Sequence, residues 1–175
     1  MSSGDDRLTH EGNLLGALTV ALDDRVGDAV TGATGGSHSV VAALSSLEDF
    51  LETPSVGLLQ QVLGLTPSGA VRLVDRLEEA GFVRRAPGAD ARVRHLTLTR
   101  RGSRAARAAR RARADVIESA LTSLDPSERR QLDALLEKLL FGLRRKPGAT
   151  RWTCRLCDTQ ACGRAHGRCP FVQDG

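Results

Sequence analysis

The chain has 175 residues, 41% hydrophobic and 26% charged, the values of an ordinary soluble globular protein rather than a disordered chain. Its longest apolar runs, among them Val40 to Leu44 and Leu139 to Leu143, span five residues, glycine included, against the roughly 20 that a membrane-spanning helix needs. The net charge of +4 conceals a strong segregation: residues 1–63 carry −7, residues 64–113 carry +9, residues 114–150 balance and residues 151–175 carry +2. A basic block inside an otherwise acidic chain is an electrostatic footprint for a polyanion, and Arg, which supplies 23 of the 25 basic residues, forks onto phosphates and bases better than Lys. A GC-rich genome gives the same Arg bias, and a solvated helix face is the better account of the run Arg101 to Arg113 taken alone, though not of the whole 64–113 block. The first residues show neither a basic region nor an apolar stretch, so the cytoplasm is the expected location.

In chain order, Leu14, Leu18, Leu22, Val26 and Val30 recur every four positions and predict a helix over 8–31. The small residues Gly32 to Gly36 end it. Ser37 opens a second helix with Val40, Val41, Leu44, Leu47 and Leu51 facing inward. Thr53-Pro54-Ser55 breaks that helix, and Val56, Leu58, Leu59, Val62 and Leu63 mark a short third one. After the tight turn Gly64-Leu65-Thr66, Thr66 is a good N-cap and Pro67 sits at the first helical position, where proline is tolerated. This fourth helix runs to about Ala80, with Ala70, Val71, Val74 and Leu77 as its apolar positions and Gly81 as its stop. The period then changes. Phe82 to Ala86 and Arg92 to Leu98 read as two strands around the turn Pro87 to Asp90, with Arg94, Leu96 and Leu98 on one face. Thr99 caps an Ala/Arg helix to about Leu124. Asp125 and Glu128 have capping-box spacing around Pro126 and open a last helix with a wide stripe, Leu132, Leu135, Leu136, Leu139, Leu140 and Leu143. Lys146-Pro147-Gly148 ends it as a linker.

Short helix, tight turn, helix and hairpin in that order make a helix-turn-helix followed by a β-wing. In such a unit the second helix presents its N-terminal residues to the major groove of double-stranded DNA. Here those are Ser68 and Gly69, with Arg72 a turn later and Arg76 after it. Ser68 can bond a base edge or a phosphate, Gly69 allows close approach, and Arg72 can reach a guanine or a phosphate. Arg92 at the hairpin tip can enter the minor groove, where the potential is most negative, and Arg94 follows it on the return strand. Pairing of Arg72 and Arg76 with Asp75, Glu78 and Glu79 is the structural alternative.

Residues 55–103 resemble the winged-helix domain of MarR-family transcriptional regulators. The matching stretches are Leu65-Thr66-Pro67-Ser68-Gly69-Ala70-Val71-Arg72-Leu73-Val74-Asp75-Arg76-Leu77-Glu78, Gly81-Phe82-Val83-Arg84-Arg85, Asp90-Ala91-Arg92 and Leu96-Thr97-Leu98-Thr99-Arg100-Arg101-Gly102. The family often has Arg where Ala91 stands, so one wing contact is absent here. The flanking helices extend the resemblance over about residues 8–145. It implies a mainly α fold with a small β-wing, and a homodimer paired through its terminal helices that sets two winged domains on a pseudo-palindrome. It further implies repression of transcription, relieved by a small-molecule effector or an oxidant acting between the dimer helices and the winged domain. The chain then divides into N-terminal dimerisation and support helices (1–52), the winged helix-turn-helix (53–99, with Thr66, Ser68, Gly69, Arg72, Arg76, Arg92 and Arg94 toward DNA), C-terminal dimerisation helices (100–146) and a tail (150–175).

That tail holds all four cysteines, spaced C-x2-C-x4-C-x6-C. Four thiolates within 16 residues can surround one metal ion, and a disulfide framework does not suit a cytosolic chain. Cys154-Arg155-Leu156-Cys157 forms a knuckle, Cys162 and Cys169 complete a tetrahedral set, and Gly163 and Gly167 supply the turns. Zinc is the first reading, folding a tail with too little core of its own. An iron–sulfur cluster is the second, since Pro170 directly follows the last cysteine. His166 in place of Cys169 would also complete a zinc site. Trp152 reads as a packing anchor. The other histidines have no nucleophile or paired carboxylate at a telling spacing, and no phosphate loop or nucleophile elbow is present. The sequence therefore does not read as an enzyme. The competing reading is a metal-stabilised adaptor that binds protein instead of DNA.

Overall fold

The computed structural model describes residues 8–49, 51, 54–87, 94–143, 154–159, 161–163, 166 and 169, with Pro87, Arg94 and Cys154 described by backbone alone. The fold is mainly α: α1 (His10–Thr34), α2 (His38–Asp49), α3 (Val56–Leu63), α4 (Pro67–Glu79), β1 (Val83–Pro87), β2 (Arg94–Leu98), α5 (Arg100–Leu121), α6 (Pro126–Gly142) and a short 3-10 turn (Cys154–Leu156) in the tail. Among the described residues no helix is long and apolar enough to cross a membrane.

Five of the six α-helices, all but α2, begin where the sequence provides a side-chain oxygen for the first unpaired N–H groups. The side chains of Thr9, Ser55, Thr66 and Thr99 accept from the backbone N–H of the residue three positions on. At α6 the full capping box forms: Asp125 accepts from Ser127 and Glu128, and Glu128 returns a carboxylate oxygen to the Asp125 N–H. The first helix runs three residues past the predicted end. Gly32 lies within it, and the left-handed Gly35, at φ 66°, closes it through a bond from its N–H to the Thr31 carbonyl. At the other end of the chain α5 stops at Leu121, earlier than the predicted Leu124.

Helix α2 is the centre of the molecule. Every residue from Val40 to Leu47 is buried, because α1, α3, α4, α5 and β2 all pack on this helix. A helix apolar all round is a core helix, and its one fully buried hydroxyl, Ser46, is satisfied by donating to the Ala42 carbonyl at 2.7 Å. The main core joins α2 to the winged unit through Leu44, Leu59, Val62, Leu73, Val74 and Leu77, all at most 1% exposed. A second, smaller cluster (Val30, Val41 and Ala109) joins α1, α2 and α5.

The Arg-rich helix α5 is tied to the end of α2 by Arg107 to Glu48 at 2.7 Å and Arg110 to Asp49 at 2.6 Å. Burial pushes the Asp49 carboxyl above its usual range against the opposing pull of Arg110, with Asp158 and Glu48 adding to the rise. Part of the basic run thus serves the fold.

Two predicted faces differ in the structure. On α4 the buried positions are Ala70, Leu73, Val74 and Leu77, and Val71 is 46% exposed. At 3.6 residues per turn Val71 lies about 100° from Ala70, beyond the reach of α2 and α3. On α1, Leu14 and Leu18 are exposed, as are Leu15 and Val20. Among the described residues only the C-terminal half of that helix is packed against the rest of the chain. Likewise α6 buries no residue, and Leu135, Leu136, Leu139, Phe141 and Leu143 are exposed to 44% or more.

Candidate nucleic-acid interface

The tight turn between α3 and α4 is set by Gly64, left-handed at φ 60°, whose N–H bonds back into α3. Thr66 then caps α4: its Oγ1 accepts from Gly69 N–H at 3.1 Å and lies 3.4 Å from Ser68 Oγ. A Cβ on Gly69 would come within 3.0 Å of that same Oγ1. Glycine here keeps the cap tight, a structural reason beyond access for a ligand. Ser68, Val71, Arg72 and Arg76 are exposed along one side of the helix, and Gly69 is half-buried beside them. An open groove of about 550 Å³ runs along this side, lined by Arg72 and Arg76, by Glu79, and by Ser39 at the start of α2.

The carboxylates of α4 do not pair with these arginines. Asp75 and Glu78 are held instead by Arg85 of β1. Its Nη2 sits 2.5 Å from Asp75 Oδ1, its Nη1 bonds Glu78 Oε2, and its backbone N–H donates to Glu78 Oε1 at 3.3 Å. The hydrogen bond to Asp75 leads the causes that raise the Arg85 pKa further, with Glu78 reinforcing it. Arg72 and Arg76 make no ion pair with any described residue. Arg85 therefore has two effects. It locks α4 to the wing and offsets part of the charge of Asp75 and Glu78, while Glu79 stays exposed in the groove with the arginines.

The wing is an antiparallel pair with Val83 opposite Leu98 and Pro87 opposite Arg94. A bridge from Ser55 to His95, and a bond from Leu96 N–H to the Pro54 carbonyl at 2.7 Å, fasten its outer strand to the start of α3. Leu96 is buried and Thr97 exposed, the alternation expected of a half-buried strand. Arg94 opens β2. Arg92, with the predicted tip of the hairpin, lies outside the described residues. The base of the wing is pinned to α5: Thr99 Oγ1 donates to the Gly81 carbonyl at 2.7 Å, and the Arg101 guanidinium lies 5.1 Å over the Phe82 ring.

Of the residues assigned from sequence, Thr66, Ser68, Gly69, Arg72 and Arg76 are thus gathered on one open helix face. Two relevant residues were not singled out. Val71 places an apolar group on the border of that face, suited to a thymine methyl, and an apolar residue in a helix pattern is read as core. Arg85 acts over seven and ten positions, a pairing only tertiary structure creates.

In the tail, the 3-10 turn packs on α2, and Leu156 touches both hydrophobic clusters. The chain turns back through a bond from Cys162 N–H to the Asp158 carbonyl and through Gly163 at φ 64°. Cys169 is 3% exposed, whereas His166 is exposed. Among the described residues no three His, Cys, Asp or Glu side chains gather closely enough to hold an ion. The Cys154 side chain, half of the knuckle, lies outside them.

A capped helix-turn-helix, a hairpin wing and long flanking helices define a winged-helix protein, and solved structures of transcription regulators share the arrangement. YusO of Bacillus subtilis matches with a TM-score of 0.67 at 22% identity, over 79% of this chain and 98% of that one. MepR, a transcription regulator of the Staphylococcus aureus multidrug efflux pump MepA, matches with 0.68 at 17%, over 78% and 100%. A MarR-family protein of Mycobacterium tuberculosis matches with 0.60 at 26%, over 79% and 98%. Residues 31–93 match the family model described as MarR family. No curated protein sequence matches the chain significantly. The four-cysteine tail lies beyond the residues the family model matches.

Proposed function

We propose that the protein is a dimeric, sequence-specific DNA-binding transcriptional regulator, a repressor whose grip responds to a small-molecule or a redox or metal signal. The observation that carries this reading is the open face of α4, where Arg72 and Arg76 make no ion pair with any described residue while Arg85 holds Asp75 and Glu78. Helix α4 enters the major groove with Thr66, Ser68, Gly69 and Arg72 leading. Arg72 and Arg76 contact phosphates or guanine, and Arg92 and Arg94 of the wing follow the neighbouring backbone or minor groove. Pairing of two chains is supported by the exposed leucines of α6 and of the N-terminal half of α1, the two surfaces that no other part of the described chain covers. The tail holds zinc through Cys154, Cys157, Cys162 and Cys169. Cys169 is buried and His166 exposed, which favours the four-cysteine set over one that uses His166.

The test is selection from a random-sequence duplex library with the purified full chain. The expected result is enrichment of an inverted repeat whose half-sites lie about one helical turn apart, or a multiple of it, as two symmetric winged domains require. No enriched sequence, together with retention of a protein partner by the same face, would replace this reading with that of the adaptor.

A further inference from the structure

Every large apolar side chain that stands exposed among the described residues lies on α1, on α6 or directly at an end of one of them, with one exception. The exception is Val71, 46% exposed on α4. The surfaces of α1 and α6 are the ones assigned above to a second chain. Val71 belongs to neither surface and to neither hydrophobic cluster. Nor does helix propensity favour it, since a β-branched side chain at an open position is a poorer helix former than alanine or a straight side chain.

Its position on α4 follows from the helical repeat. The buried side of the helix is Ala70, Leu73, Val74 and Leu77. At about 100° per residue, Val71 shares a stripe with Asp75 and Glu78. Arg85 of β1 is bonded to that stripe at its two acids. Val71 lies a turn nearer the start of the helix, beside the exposed Ser68 and Arg72. The groove lined by Arg72, Arg76 and Ser39 runs along the opposite border, past Gly69, and Val71 takes no part in it. The face is therefore cationic toward α2 and apolar toward the wing.

Duplex DNA offers one group that suits such a side chain. The edges of the bases in the major groove are hydrogen-bond donors and acceptors, except for the C5-methyl group of thymine. We infer that Val71 is a specificity-determining residue, whose two methyl groups pack on the methyl of a thymine in each half-site. It selects a T·A pair there against pairs that lack the methyl. This rests on the DNA-binding reading above and deepens it by naming a base. The arginines beside Val71 supply affinity through charge. Val71 supplies discrimination at one base pair, and does so without charge.

The experiment uses the full chain and the duplex selected by the wild type. Each thymine of the half-site is replaced in turn by deoxyuridine, in both half-sites at once. The exchange removes the methyl and leaves base pairing and groove hydrogen bonds in place. For the wild type, one such position should weaken binding about 15-fold, from about 4-fold for each methyl that leaves an apolar contact. Val71→Ser should bind the thymine duplex as weakly as the wild type binds the deoxyuridine duplex, and should no longer tell the two apart. Its salt dependence should match the wild type, because no phosphate contact is lost. Its unfolding temperature should stay within about 2 °C, as for a substitution at an exposed position.

A methyl dependence that persists in Val71→Ser belongs to another residue and overturns the inference. A variant that melts well below the wild type and weakens on both duplexes alike makes Val71 a packing residue and overturns it too. A wild type that selects a duplex but ignores every thymine methyl in it defeats this inference and leaves the DNA-binding reading standing. A wild type that selects no duplex defeats that reading instead, so the two failures are distinct.

Discussion

Replacing Gly102 by alanine is expected to produce a large loss of stability. The first turn of α5 crosses the base of the wing at this residue. A Cβ there would lie 2.0 Å from the Phe82 carbonyl oxygen and 2.9 Å from Leu98 Cδ2. The carbonyl cannot yield cheaply, because it accepts from Thr99 N–H at 2.9 Å. Nor can the helix start slide freely, because Gly102 N–H is itself bonded to Thr99 Oγ1 at 3.0 Å. Gly102→Ala should cost about 3 kcal/mol, the upper end of overpacking costs, or roughly 6–12 °C in Tm. Gly32→Ala, inside α1 with open space around it, should be neutral or gain up to about 1 kcal/mol. Thermal unfolding followed by circular dichroism at one protein concentration makes the comparison. Equal Tm values for the two variants would refute the close crossing of α5 over the wing.

The second large effect concerns assembly. Leu136→Asp combined with Leu139→Asp should leave the fold of each chain intact, since α6 buries no residue within it. It should nevertheless break the dimer. Sedimentation is expected to give twice the 18.7 kDa chain mass for the wild type and that single mass for the variant, with unchanged helical content. Affinity for a symmetric duplex should fall by a factor of about 10²–10⁴, because the second winged domain no longer binds at the effective concentration set by the first. A monomeric wild type, or a variant that remains dimeric, would remove the assignment of these leucines to the partner interface.

Much of this architecture could be read in the sequence, and the parts that could not share a physical cause. Thr66-Pro67, Asp125-Pro126 with Glu128, and the switch of period after Gly81 are local signals, and the structure follows them to within a residue or two. Faces were harder. Helix α4 has apolar residues at positions 70, 71, 73, 74 and 77, a stripe too wide to fix its rotation from spacing alone. The placement of α2 and α3 chooses Leu73 over Val71. The stripe on α1 marks amphipathicity without naming a partner, so the exposure of Leu14 and Leu18 emerges only once the chain's own contacts are known. Arg85 and Leu156 are illegible for the same reason. Each acts across a tertiary contact, one by capturing acids on α4 and the other by bridging two clusters. The face carrying Ser68, Gly69, Arg72 and Arg76 was legible because a helix-turn-helix prescribes, from its turn, which residues point outward.

The central claim is that the exposed face of α4 binds duplex DNA through its arginines. The most direct measurement is fluorescence anisotropy of the selected duplex, titrated with wild type and Arg72→Ala over a series of salt concentrations. Wild-type affinity is expected to fall linearly on a log–log scale with salt, as counterion release requires. Arg72→Ala should lower affinity by about 1–3 kcal/mol if Arg72 reads a base, or reduce the salt slope by about 1 if it holds a phosphate. Binding that ignores salt and is unchanged by Arg72→Ala would contradict the account and move the interface away from this helix.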